Sequence, residues 1–179
     1  MSRMRRLPGD PAQEAQVARM IRVDHAGEYG AKRIYDGQLA VLGRTKAAEE
    51  IRRMAEQEAR HLATFDALVR ERRVRPTALS PLWHAAGFAL GAATAMLGER
   101  AAMACTVAVE EVIDEHYARQ VEALGDAEPD LKAALEEFRA NEREHRDAAL
   151  VQGGGGAPAP LSAAIKAGTR LAIWLSTRL

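Results

Sequence analysis

The sequence predicts an all-α fold: a four-helix bundle with two additional helices, one apolar between the hairpins and one basic and amphipathic at the C-terminus. Three observations predict it. Ala, Glu, Arg and Leu abound while aromatic residues make up only 4% of the 179 residues, which favours helix over sheet. Apolar residues recur at helical spacing in four long segments, with no strand-like alternation of useful length. Gly and Pro fall between these segments, where they stop one helix and start the next.

Residues 1–10 are short and basic with no apolar run behind them, so they read as a flexible extension rather than a secretory signal, ahead of a single domain over 11–179. A first helix runs from about Pro11 or Ala12 to Leu42 and stops at Gly43; a second runs from Thr45, as N-cap, to Arg73, with Pro76 ending it. Pro76 to Gly98 contains no Asp, Glu, Lys or Arg. A fourth segment, Glu99 to Leu124, stops at Gly125-Asp126, and Pro129 opens a fifth that reaches Val151. Gly153 to Gly156 reads as a flexible break, and Leu161 to Arg178 as the last helix.

Bulk properties narrow the function. The formal net charge is zero, so no electrostatic footprint for nucleic acid is present. The lone Cys105 excludes an internal disulfide framework and a cysteine-based zinc site. The polar residues of the long helices are more informative. Glu58-x-x-His61 and Glu142-x-x-His145 each place two ligand types three residues apart, on one helix face. Glu28 lies fifteen residues before Gly43 and Glu58 fifteen after it, so in an antiparallel hairpin both stand roughly 22 Å from the turn. Glu110 and Glu142 flank Gly125 in the same way, at fifteen and seventeen residues. Two similar hairpins therefore bring Glu28, Glu58, His61, Glu110, Glu142 and His145 to one level. Four carboxylates would cancel the charge of two divalent ions, and oxygen and imidazole donors suit iron and O₂ chemistry better than a closed zinc site. Any one of these glutamates alone reads as an exposed helix residue. Asp24 and Asp114, one turn from Glu28 and Glu110, are candidates to orient a ligand histidine.

Arg22-Val23-Asp24-His25-Ala26-Gly27-Glu28-Tyr29-Gly30-Ala31 resembles the first-ligand motif of the demethoxyubiquinone hydroxylase family, whose members are ferritin-like. Met103 to Glu111 resembles its third-helix motif, and Ala167 to Ser176 its closing helix. The resemblance implies O₂-dependent hydroxylation of a demethoxyubiquinone or demethoxyubiquinol ring in ubiquinone biosynthesis, by a monooxygenase with two iron ions and O₂ as co-substrate. The electron donor is left open. It implies the same six metal ligands, with Glu58 and Glu142 bridging, and a functional His116-Tyr117 pair near the site. Trp174 departs from the Tyr that many relatives carry.

The sixteen residues Leu82 to Leu97 span only about 24 Å as helix, short of a hydrocarbon core. The segment reads as a buried core helix or, with Lys166, Arg170, Arg178 and a Leu171-Trp174-Leu175 face, as a peripheral membrane anchor on the cytoplasmic face of the inner membrane, and these cations favour the anchor. Leu82, Phe88, Leu97, Arg170 and Trp174 are its candidate substrate and membrane contacts. Expected partners are a polyprenyl quinone, the membrane surface and a lipid-binding accessory protein, with oligomer formation left open. The rival readings are a ferritin-like protein that stores iron or scavenges peroxide, a non-enzymatic helical adaptor, and a di-manganese centre in place of iron.

Overall fold

The computed structural model describes residues 12–156 and 158–179, so the expected extension over 1–10 lies outside the described residues. Six helices follow in order: α1 Gln13–Leu42, α2 Ala48–Glu71, α3 Ser80–Met96, α4 Glu99–Leu124, α5 Pro129–Val151 and α6 Ala159–Ser176. No strand occurs among the described residues. Two antiparallel hairpins, α1–α2 and α4–α5, form the ferritin-like four-helix bundle, and α3 and α6 pack on its outside.

Several helix ends differ from the sequence expectation, each for a local reason. The N-cap of α2 is Ala47, with no side-chain cap, because Thr45 is used in a turn whose carbonyl accepts from the Ala48 amide. The helix stops before Pro76 is reached. Arg73 sits at φ 52, and the amides of Arg73 and Val74 return to the carbonyls of Arg70 and Val69. This is a Schellman turn with arginine where glycine is usual. Gly125, at φ 55, ends α4 as expected.

Gly153–Gly156 is not a loose linker. Residues 154–156 form a 3₁₀ turn packed on α4, and Gly154 is buried so closely that a Cβ would lie 2.8 Å from the Met103 and Ala149 carbonyl oxygens. Here glycine gives close approach rather than freedom.

The charge-free segment is a surface helix rather than a core helix: within α3 only Gly91, Thr94 and Ala95 are buried. It lies backbone to backbone on α1. A Cβ on Gly91 would sit 1.9 Å from the Ile34 oxygen, and one on Gly37 would sit 2.2 Å from the Phe88 oxygen. Gly87 and Gly91 are four residues apart on one face of α3, the small-residue spacing that permits such a seam.

Two apolar clusters close the bundle from either end. Ile21, Phe65, Leu135, Phe138 and Tyr117 belong to one, and Ile51, Met54, Met103, Tyr35 and Ala149 to the other. Burying each large apolar side chain is worth roughly 1.5–3 kcal/mol. Along α2 the order is Ile51, Met54, Glu58, His61, Phe65, and α5 runs through the clusters in the opposite sense. The polar residues of the bundle therefore sit between two dry plugs.

Candidate metal centre

The six side chains singled out by their heights converge. Glu28, Glu58, His61, Glu110, Glu142 and His145 are all buried, at 3% exposure or less. Their ligand atoms form two overlapping groups, Glu28–Glu58–His61–Glu142 and Glu58–Glu110–Glu142–His145. Glu58 and Glu142 belong to both. Glu142 spans the pair visibly: its Oε1 lies 3.3 Å from His61 Nδ1 and its Oε2 3.5 Å from His145 Nδ1. Glu28 Oε2 lies 3.4 Å from His61 Nδ1, and Glu58 Oε1 lies 3.2 Å from His145 Nδ1.

The donor atoms test whether this arrangement suits metal. Buried polar atoms are ordinarily hydrogen-bonded. Yet Glu28 Oε2, both oxygens of Glu58 and of Glu142, Glu110 Oε2, and Nδ1 of both His61 and His145 are buried without a hydrogen-bond partner. Every one of the six residues contributes at least one such atom. Burial, then the neighbouring carboxylates, push Glu58 and Glu110 well above the usual carboxylate range, and burial raises Glu142 as well. The histidines go opposite ways. Burial pulls His61 down, but its contacts with Glu142 and Glu28 prevail and push it up to about 10; His145 is lowered, chiefly by burial. Crowded carboxylates facing unshared lone pairs are a cluster able to bind cations.

The family described as ubiquinone biosynthesis protein COQ7 matches residues 15–176. The chain belongs to the COQ7 family. It is 60% identical to a 3-demethoxyubiquinol 3-hydroxylase of Rhodospirillum rubrum, over 97% of this chain and 84% of that protein. It is 52% identical to the human NADPH-dependent mitochondrial 3-demethoxyubiquinone 3-hydroxylase, over 95% and 81% of the two chains. Identity to the mitochondrial 5-demethoxyubiquinone hydroxylase of Saccharomyces cerevisiae is 40%, over 94% and 80%.

In this COQ7-family chain an apolar cavity of about 370 Å³ opens between α1, α3, α4 and α6. Val23, Ile34, Trp83, Leu90, Ile113 and Ile173 line it, and Glu28, Asp24, His116 and Tyr117 supply its polar wall. Trp83 Nε1 donates to Ser176 Oγ at 2.9 Å and fastens α3 to α6. Of the residues expected to contact substrate or membrane, Leu82, Phe88, Leu97, Arg170 and Trp174 do not line this cavity. Leu82, Leu97 and Trp174 face outward, Phe88 lies under the Arg33 guanidinium, and Arg170 pairs with Glu115 at 3.2 Å. Lys166 pairs with Glu111 in the same way, so these two cations dock α6 on α4.

His116 and Tyr117 do reach the site, but toward the first helix rather than toward Glu110 on their own. The Tyr117 hydroxyl donates to Glu28 Oε1, and His116 Nε2 lies 3.0 Å from Asp24 Oδ1. Neither Asp24 nor Asp114 orients a ligand histidine: Asp114 accepts from Arg139 and Arg143. His25 Nε2 lies 3.0 Å from Asp66 Oδ1.

Sequence reasoning missed Gln57, whose Oε1 lies 2.9 Å from His145 Nε2, and Tyr35, whose hydroxyl donates to Glu110 Oε1 at 2.7 Å. A signal for Tyr35 was present. Glu28 and Tyr35 are seven residues apart, as are Glu110 and Tyr117, and the two pairs are offset by 82 residues. Gln38 and Gln120 share that offset, and so do Asp24 and Thr106. Gln38 Nε2 donates to Thr106 Oγ1 at 3.3 Å; Gln120 Nε2 donates to Asp24 Oδ1 at 2.8 Å. The two long helices thus repeat one pattern of residues and cross-bonds.

Proposed function

We propose that this chain hydroxylates the ring of a demethoxyubiquinol or demethoxyubiquinone in ubiquinone biosynthesis, using O₂ at a di-iron centre. One observation carries the reading. Eight unpartnered donor atoms from six buried side chains meet inside the bundle, and one of those side chains, Glu28, lines an apolar cavity, in a chain 60% identical to a 3-demethoxyubiquinol 3-hydroxylase. Glu28 and His61 would hold one ion and Glu110 and His145 the other, with Glu58 and Glu142 shared. When bound, the iron pair supplies the O₂ binding and electron transfer that put one oxygen atom on a ring carbon and release the other as water.

The chain's own groups do the rest. The cavity takes up a flat apolar ring and keeps water away from it. Glu28, its only ligand residue at that wall, sets the face at which the ring meets the centre. His116, held by Asp24, offers a hydrogen bond to a ring oxygen, and the Tyr117 hydroxyl, its proton given to Glu28, accepts one from a ring hydroxyl; together they fix which carbon is presented. A store of iron has no use for an apolar pocket beside its ligands, which favours the hydroxylase reading over that rival.

A membrane-surface position on the cytoplasmic side fits a polyprenyl substrate. No helix among the described residues is long and apolar enough to cross a membrane. Leu82, Leu171, Trp174 and Leu179 are exposed on or beside the two outer helices, and Arg178 stacks over Trp174 at 3.9 Å. These groups suit an interfacial position.

The test is anaerobic loading with ferrous iron, then O₂ and a demethoxyubiquinol, read by product mass. A product heavier by one oxygen atom, labelled when ¹⁸O₂ is used, is expected from the wild-type chain. An unchanged ring from fully loaded protein overturns the reading.

A further inference from the structure

Two phenols cross the centre of the bundle. Each comes from one long helix and bonds the glutamate of the other: Tyr35 of α1 to Glu110 of α4, and Tyr117 of α4 to Glu28 of α1. Both are almost fully buried, and they stand at equivalent places in the internal repeat. We propose that Tyr35 and Tyr117 are positioning residues that restrict Glu110 and Glu28 to a single donor oxygen each. The proposal rests on the reading that the six residues hold two metal ions.

The argument is one of oxygen atoms. A phenol has one proton to give. Tyr35 spends it on Glu110 Oε1 at 2.7 Å, with Met54 Sδ a more distant alternative at 3.8 Å. In both glutamates Oε1 is the oxygen taken, and Oε2 is left buried without a partner. Glu28 Oε2 is also the oxygen beside His61 Nδ1. Glu58 and Glu142, in contrast, carry no phenol and keep both oxygens free. The hydrogen bonds therefore sort four chemically identical carboxylates into two kinds: one-oxygen ends and two-oxygen bridges.

That sorting has a purpose. Each ion would receive one terminal oxygen, one imidazole nitrogen and one oxygen from each shared carboxylate. An unclamped terminal carboxylate could turn its second oxygen inward and fill a position that the reaction needs open.

The test uses the full chain loaded with Co²⁺, with metal stoichiometry by calorimetry and carboxylate stretches by infrared difference spectroscopy. One-oxygen carboxylates show a wide separation of the two stretches, two-oxygen chelates a narrow one. The wild-type chain is expected to bind two cobalt ions and show two widely split terminal carboxylates. Tyr35→Phe and Tyr117→Phe should each still bind two ions, lose one widely split pair and gain a narrow one. Met54→Leu, which keeps the phenol, should leave the spectrum unchanged.

Wild-type protein with two ions and no widely split pair overturns the clamp, whether or not the variants fold. So does a folded phenylalanine variant that keeps the wild-type spectrum or binds fewer than two ions. Wild-type protein that binds fewer than two cobalt ions overturns the metal assignment instead.

Discussion

The two halves of the centre are alike in ligands and unlike in surroundings. Around Glu28 and His61 the wall is open: Glu28 and Tyr117 line the cavity, and Asp24 and His116 stand beside them. Around Glu110 and His145 it is closed. Tyr35, Glu110 and His145 do not line the large cavity. The repeat makes the difference sharp. At the offset of 82 residues, Asp24 corresponds to Thr106 and His116 to Ile34. The Glu and Tyr at the centre are repeated, and so is a Gln three residues beyond each Tyr. The Asp–His pair has no titratable counterpart on the closed side. What the halves share lies at the centre, and the Asp–His pair that they do not share lines the cavity.

The largest effect should come from breaking what joins the halves. Glu142→Ala removes the carboxylate that touches both imidazoles, so metal content by elemental analysis should fall from two ions per chain to near none. Glu110→Ala should lose only the closed-side ion. Retention of one ion by Glu142→Ala would contradict its bridging place.

Next comes the pair that differs. His116→Gln should cut turnover by roughly 10²-fold or more, the size usual for a lost acid–base or orienting group, while two ions stay bound. Thr106→Val, its partner's counterpart on the closed side, should leave turnover within a few-fold. Equal losses in steady-state assays would erase the distinction between the halves.

The smallest effect concerns the histidines. His145 is oriented through Gln57, whereas His61 lies flat on Phe138 with ring centroids 4.1 Å apart. Gln57→Leu should weaken one of the two metal sites about 10–100-fold and spare the other, as losses of a ligand's hydrogen-bond partner do. Equal weakening of both sites in a calorimetric titration would show that the halves do not act separately.

The convergence of the four Glu and two His was legible because it depends on helix rise and turn position, both written along the chain. The outer helices were legible as helices, but not in their packing. The α1–α3 seam depends on which glycines face each other, and Gly37 meeting Phe88 and Ala92 is a fact of crossing angle rather than of local sequence. Gln57 and Tyr35 escaped for a related reason. Each acts on a residue of another helix, 88 and 75 residues away, and alone each looks like an ordinary helix residue. Arg73 ending α2 also ran against type, because a non-glycine residue in the left-handed region is uncommon.

The glycine seam has a consequence for how this pocket can be reshaped. Where Gly87 and Gly91 meet the Gly30 and Ile34 carbonyl oxygens there is no room for a Cβ, so these two positions cannot be enlarged without separating α3 from α1. Remodelling for a bulkier or slimmer ring must come from the side chains around the seam, such as Val23, Leu90, Ile113 and Ile173. Variation in ring preference among engineered forms should therefore map to those side chains, with the seam glycines held constant.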